Sequence, residues 1–269
     1  MAVPSDFANL RLWFKADSES YLENEAVGTM NDRSGNGFHA TQATPANKPT
    51  FKVQIVNGLP VYRFDGSNDF CSGVAGTSIF TVSTGVLYAY VRLAACDTDT
   101  GSPWTNDSLW APNNGASCNH SFLKVAGVPK VRAYSLDAVE NNVVDKAIDF
   151  DRWYLIFWRH AGGQLYLGVD DLSSAALQQD SAADTVQLGG NFAVGGAPTT
   201  GAGYFQGDLA ELFAFNVDHD EGTRTQLQQY LAFKYNNTSL LEASRALASR
   251  RLREISRPIP MIECRRRAA

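Results

Sequence analysis

The chain has 269 residues with 44% apolar side chains, enough to bury a sizeable core without a metal or disulfide merely to fold. Its net charge of −5 argues against a nucleic-acid-binding protein as a whole. That total hides an asymmetry: residues 239–269 hold eight Arg and three Glu, a balance of +5, while the other 238 residues carry 15 basic and 25 acidic side chains, or −10.

In chain order, the opening MAVPSDFANLRLW lacks the basic and apolar regions of an export signal, and no apolar run reaches transmembrane length. The expectation is a soluble chain with no membrane insertion, which stays where it is made unless a leader is removed or the cell lyses. LRLWFKA and PVYRFDG alternate apolar and polar side chains, as half-buried strands do. TGVLYAYVRLAA (Thr84–Ala95), KVRAYSL (Lys130–Leu136), RWYLIFWRHA (Arg152–Ala161) and GQLYLGVDD (Gly163–Asp171) continue the series. Gly162-Gly163 marks a hairpin turn between the last two. TVQLGG (Thr185–Gly190) and GDLAELFAFN (Gly207–Asn216) close it. Many short strands without intervening helices predict an all-β fold, an antiparallel sandwich or barrel.

After residue 217 the period changes. DHDEGTRTQLQQYLAFKYNN places Leu227, Tyr230 and Leu231 on one helical face, with Asp218 and Glu221 spaced as a capping box. We place the end of the globular domain at residue 238, with a separate basic arm over residues 239–269. Its imperfect apolar stripe (Leu240, Leu247, Leu252, Ile255) runs beside Arg250 and Arg251 until Pro258. An extended segment follows and ends in Arg265, Arg266 and Arg267. The stripe has no Trp or Phe, which weakens a membrane-surface role, and docking on a protein is favoured over contact with nucleic-acid phosphates.

LWFKAD, NDRSGNGFHATQ and NGLPVYRFDGSNDF, followed by RWYLIFWRHAGGQLYLGVDD and YFQGDLAELFAFNVDHDEGTRTQLQQYLAFKYN, resemble in this order the laminin G-like, concanavalin A-type domains of bacterial and phage proteins. The resemblance covers residues 8–236. It implies a two-sheet antiparallel jelly-roll sandwich with a short helix after the last strand. It is silent on function, because this sandwich hosts lectins, glycanases, lyases, adhesion modules and virion parts.

The polar stretch NDRSGNGFHATQATPANKPTF has two readings. Gly35, Asn36 and Gly37 can take positive φ while Asp32 and Ser34 hold the turn backbone, which makes a lock that closes the fold. The resemblance alternatively implies a structural Ca²⁺ at the rim, with Asp32 and Asp69, or Asp208 and Glu211, as ligands. Calcium needs six to eight oxygens and there is no compact acidic loop to supply them, so the lock is favoured and no cofactor is required.

A glycanase needs two carboxylates flanking one bond. Asp208 and Glu211 are three apart on a strand and so point to opposite faces unless a bulge intervenes. His39, His120, His160 and His219 are scattered, with His160 at a hairpin end, and neither a nucleophile elbow nor a phosphate-binding loop is present. Cys71, Cys96, Cys118 and Cys264 show no CxxC spacing or nearby His. Reduced thiols are the simpler reading, and no particular pairing is selected. The sequence therefore points away from an enzyme.

CDTDTGSPWTNDSLWAPNNGASCNHSF (Cys96–Phe122) has the composition of a sugar-binding loop, with aromatic planes beside amides and a carboxylate: Trp104, Asn106, Asp107, Trp110, Asn113 and Asn114. The bland alternative is a tryptophan core plug in a solvated loop. Absence of an export signal on an adhesion-type domain, together with the basic arm, leads to a non-enzymatic phage virion protein as the first expectation. Capsid decoration and a tail or fibre component fit equally. It would form homo-oligomers, contact other virion proteins and possess an outward lectin-like face for a host-surface glycan. The alternatives are a carbohydrate-binding module of a secreted bacterial protein, acting outside the cell, and, third, a polysaccharide hydrolase or lyase.

Overall fold

The structure is a computed structural model that describes residues 1–74, 79, 84–99, 106–112, 118–136, 141–181, 191–196 and 203–242. Two antiparallel eight-stranded sheets face one another, and a helix covers the outer side of one of them. This is the predicted all-β sandwich.

The first sheet contains β1 (Leu10–Lys15), β4 (Thr50–Val56), β5 (Leu59–Asp65), β7 (Gly85–Ala95), β12 (Trp153–Ala161), β13 (Gln164–Val169), β14 (Gln178–Ser181) and β16 (Gln206–Phe215). Its order is β14-β13-β12-β7-β16-β5-β4, with β1 also paired to β16. The second sheet contains β2 (Thr29–Met30), β3 (Ala40–Thr41), β6 (Cys71–Val74), β8 (Asp107–Pro112), β9 (Cys118–Val125), β10 (Val128–Leu136), β11 (Asn141–Ala147) and β15 (Asn191–Val194). These run β11-β10-β9-β8-β15-β6-β3-β2.

Alternation explains the layering. Leu87, Ala89, Val91 and Leu93 of β7 enter the core between the sheets with Phe14, Ile156, Trp158, Phe122 and Phe192. The intervening Val86, Tyr88 and Tyr90 face outward, yet they too are buried, because α1 (Glu221–Lys234) lays Leu227, Tyr230 and Leu231 on them. A strand buried on both faces reads as a continuous apolar run, as GVLYAYV does. Each large side chain buried this way contributes about 1.5–3 kcal/mol.

Asp220 starts α1, its carboxylate accepting from the Thr223 N–H at 2.7 Å. The expected cap, Asp218, instead receives both Nε and Nη2 of Arg159, at 2.5 and 2.7 Å. Gly162 and Gly163, at φ 59° and 68°, make the predicted hairpin turn between β12 and β13.

The polar stretch behind β1 is a lock. Asp32, buried, accepts from the N–H groups of Trp13, Ser34 and Phe38 and from the Ser34 hydroxyl, all within 3.0 Å. Asn36 donates to the carbonyls of Leu10 and Arg11, and Gly35 and Gly37 take φ of 89° and 76°. A carboxylate so engaged is a turn staple.

Two expectations change. Cys96–Phe122 is not a single irregular loop, because β8 and the start of β9 lie within it. The helical turn over residues 238–242 places Leu240, fully buried, in the layer beneath α1. Leu240 thus belongs to the globular body rather than to the arm. Leu247, Arg250, Arg251, Leu252, Ile255, Arg265, Arg266 and Arg267 lie outside the described residues, as does the TVQLGG segment. Among the described residues no helix is long and apolar enough to cross a membrane.

Candidate functional site: a polar groove on the outer face of the first sheet

In VYRFDG, Tyr62 and Phe64 point into the sandwich, so Arg63 points out. In YVRLAA, Val91 and Leu93 point in and Arg92 points out. Asp208 of β16 lies between them, directly opposite Arg63 on β5 and Arg92 on β7. The result is a row of cation, carboxylate and cation across three adjacent strands.

Arg63 grips Asp208 bidentately, Nε to Oδ1 at 2.6 Å and Nη2 to Oδ2 at 3.0 Å. Arg92 brings Nε and Nη2 to Oδ2 at 3.0 and 2.5 Å. The Asp208 side chain is 1% exposed, while Arg63 is 36% and Arg92 26% exposed. The buried carboxylate takes four donors, three on Oδ2 and one on Oδ1, and the two guanidiniums it orients still reach solvent. Such forks are rigid as well as strong. Among the described residues Arg63 donates through Nε and Nη2, leaving Nη1 over. Arg92 Nη1 has a loose partner, the exposed Asp151, at 3.8 Å.

This row floors an open groove of about 640 Å³. One wall is the turn after β5. Asp65 accepts from Ser67 and Asn68 N–H through Oδ1, and Asp69 accepts the Asp65 N–H through Oδ2 at 3.0 Å. Burial, reinforced by the Asp65 charge, pushes the Asp69 carboxyl up to about 6. Gly66, at φ 78°, lets this turn sit on Gln206, whose Cβ would be 2.7 Å from any Cβ at position 66. Asn24 and Lys52, hydrogen-bonded to each other, stand on the β4 side. Trp153, opposite Arg92 on β12 and half-buried, extends the row and stacks on Tyr90 at 5.3 Å.

A bulge in β16 completes the geometry. Asp208 pairs with Arg92 but Glu211 pairs with Tyr90, so three steps on β16 match two on β7. Asp208 and Glu211 consequently share the outer face, where strict alternation predicted opposite faces. Glu211 is closed off beneath α1. It accepts from Trp13 Nε1 (2.6 Å), Tyr230 OH (2.9 Å), Tyr235 OH (2.9 Å) and Lys234 Nζ (2.7 Å), and it is fully buried. Tyr235's hydroxyl is driven far up by burial and by this carboxylate.

The sequence-derived residues divide accordingly. Asp69 and Asp208 belong to the groove, Asp32 to the turn lock and Glu211 to the helix lock. Among the described residues no three His, Cys, Asp or Glu side chains converge as a metal site. Trp110 is corrected from rim to interior: it is 2% exposed and stacks on Phe192 at 4.8 Å, the core plug of the bland alternative. Asn106 and Asp107 are also buried, and burial pushes the Asp107 carboxyl up to about 7. Trp104, Asn113 and Asn114 lie outside the described residues.

His160 sits at the hairpin end as expected, opposite Leu165, and is buried, its ring 6.1 Å from that of His120 and held neutral by desolvation. Cys71 and Cys96 are buried free thiols. Sequence reasoning missed Arg63 and Arg92. The available signal was one arginine at the outward position of each of two strands otherwise made of core residues.

No family model matches the chain and no curated protein does. Solved structures match at the level of fold. An arabinofuranosidase complexed with arabinofuranosyl-α-1,2-xylobiose aligns at 14% identity and TM-score 0.56, over 81% of this chain and 51% of that one. The binding domain of Paraclostridial Mosquitocidal Protein 1 aligns at 12% and 0.58, over 85% and 53%. Domain 4 of the extracellular arabinanase AbnA of Geobacillus stearothermophilus, in complex with arabinotriose, aligns at 12% and 0.56, over 81% of this chain and 98% of that domain. The chain spans about half the length of the first two and nearly all of the third. The chain thus shares with these structures a two-sheet antiparallel β-sandwich.

Proposed function

We propose that this chain is a non-catalytic glycan-recognition module that meets its ligand outside the cell. The observation that carries the reading is the groove over Asp208. A sugar presents many hydroxyls and needs donors and acceptors fixed in advance, and the groove offers two oriented guanidiniums, two carboxyls and a glutamine amide in one depression. Its volume is that of an ordinary ligand site. The sugar-bound arabinanase domain on the same fold supports the same direction.

A non-catalytic role is supported by the two carboxylates on the shared face. Asp208 is 1% exposed and held by two arginines, and Glu211 is sealed under α1, so neither is free to act on a glycosidic bond. The basic arm, with its excess of arginine, suggests a second setting for the same face: a phage particle that carries the module and is held by the arm.

The test is a glycan panel followed by calorimetry on any hit. Saturable binding that is weakened at least tenfold by Gln206→Ala, with no release of new sugar ends, is the expected result. Absence of binding across the panel, or release of reducing ends that requires Asp208, would overturn the reading. The phage setting is checked separately, by asking whether the full chain co-purifies with particles and a chain ending at residue 242 does not.

A further inference from the structure

We infer that the groove takes an acidic sugar, a hexuronate residue within a glycan, whose carboxylate sits on Arg63 and Arg92 and whose hydroxyls meet Asp65, Asp69 and Gln206. The inference rests on the glycan reading and sharpens it by naming the ligand's charged group.

The argument is a count of unused hydrogen-bonding capacity. Asp208 offers a ligand nothing, because its side chain is only 1% exposed and four N–H groups of two arginines converge on it, three on Oδ2 and one on Oδ1. The floor therefore presents donors: Arg63 Nη1, which has no partner among the described residues, and Arg92 Nη1, tied among them only to an exposed carboxylate at 3.8 Å. Both forks are fixed from behind, so a ligand carboxylate would find them already oriented. A neutral sugar would leave this cationic floor facing hydroxyls, each a weaker acceptor than a carboxylate.

The wall is complementary. Asp65 uses Oδ1 and Asp69 uses Oδ2 for the turn backbone, so each keeps one oxygen to accept a sugar hydroxyl. Donors below and acceptors at the side suit a ring that carries one carboxylate and several hydroxyls. A polyanion without hydroxyls would meet Asp65 and Asp69 with charge and no donor to offset it, which makes the site selective against negative charge alone.

The experiment compares matched pairs by calorimetry: oligogalacturonide against galacto-oligosaccharide of the same length, and oligoglucuronan against cello-oligosaccharide. Polyglutamate is the non-sugar control. Expected is at least tenfold tighter binding of the acidic member of one pair and no comparable binding of polyglutamate. In Arg63→Gln the acid-over-neutral preference should shrink at least tenfold. That variant leaves the Arg92–Asp208 pair in place to hold the fold, and its thermal unfolding is to be compared with the parent's as the check. Arg63→Lys, which keeps the charge but not the fork, should lose most of the preference too, and serves if the Gln variant does not fold.

Equal or weaker binding of the acidic sugars overturns this inference while the glycan reading stands. Equal binding of polyglutamate, or a preference untouched by both Arg63 variants, overturns it as well. No binding of any sugar removes both readings.

Discussion

Asp208 and Glu211 are both buried carboxylates, three residues apart on one strand and on the same face of one sheet, yet they sit in opposite surroundings. Glu211 is capped by Trp13, Tyr230, Tyr235 and Lys234, donors contributed by β1, by α1 and by the residue just after it. Asp208 is held by Arg63 and Arg92, which remain open to solvent on their far sides. What separates the two is the edge of the helix layer. Beneath it, a charge serves to fasten the helix to the sheet, and beyond it, a charge of the same kind aims cations at whatever enters the groove.

The largest expected effect of breaking this contrast is in Glu211→Ala. Four donors would lose their acceptor in a dry interior, and the loss should be about 3–5 kcal/mol in urea unfolding. A loss below about 1 kcal/mol would show that α1 does not depend on the lock. Asp208→Ala should cost somewhat less, about 2–4 kcal/mol, because the two arginines left facing each other can turn toward water. Binding in the groove should disappear with it, whereas the folded fraction of Glu211→Ala should still bind.

A smaller effect comes from the groove wall. Asp69 has its carboxyl pushed up to about 6 from an ordinary value of 3.8, so its ionisation costs stability as pH rises through that window. Asp69→Asn should therefore be more stable than the parent at pH 8, by about 1–2 kcal/mol, and indistinguishable from it at pH 4. His160 acts in the opposite sense. Its folded value is about 4 against an ordinary 6.5, so its contribution is complete above 6.5 and is lost as pH falls toward 4. Chemical unfolding across pH 4–8 in the parent and in Asp69→Asn separates the two. The smallest effect is Lys52→Ala, which removes a peripheral pair with Glu23 and Asn24 and should change stability by no more than about 0.5 kcal/mol.

The strands of the first sheet were legible because their chemistry is local. LRLWFK, VYRFD and the GG hairpin carry alternation or positive-φ glycines that need no partner to be read. The helix was legible for the same reason, apart from its cap, where DHD offered two aspartates and Arg159, far away in sequence, claimed one of them. β8 escaped because Ser108–Trp110 is a second bulge, which turns Leu109 and Trp110 into successive core residues and erases the two-residue period. The groove escaped for a comparable reason. Arg63, Arg92 and Asp208 come from three strands, and a bulge absent from any residue pattern decides that Asp208 and Glu211 share a face. Composition singled out Trp110 as a sugar platform, but packing against Phe192 determined its fate.

The pairing of β1 with the C-terminal half of β16 has a consequence for how the first sheet forms. Leu10 lies across from Phe215, and the Asn216 N–H reaches the Asn9 carbonyl at 3.3 Å. The first and last strands thus zip together, and the first sheet closes only once residues 206–215 have joined residues 10–15, which lie about two hundred positions earlier in the chain. Such a distant pairing is slow to find, because the loop between its strands must be ordered before their contacts reward it.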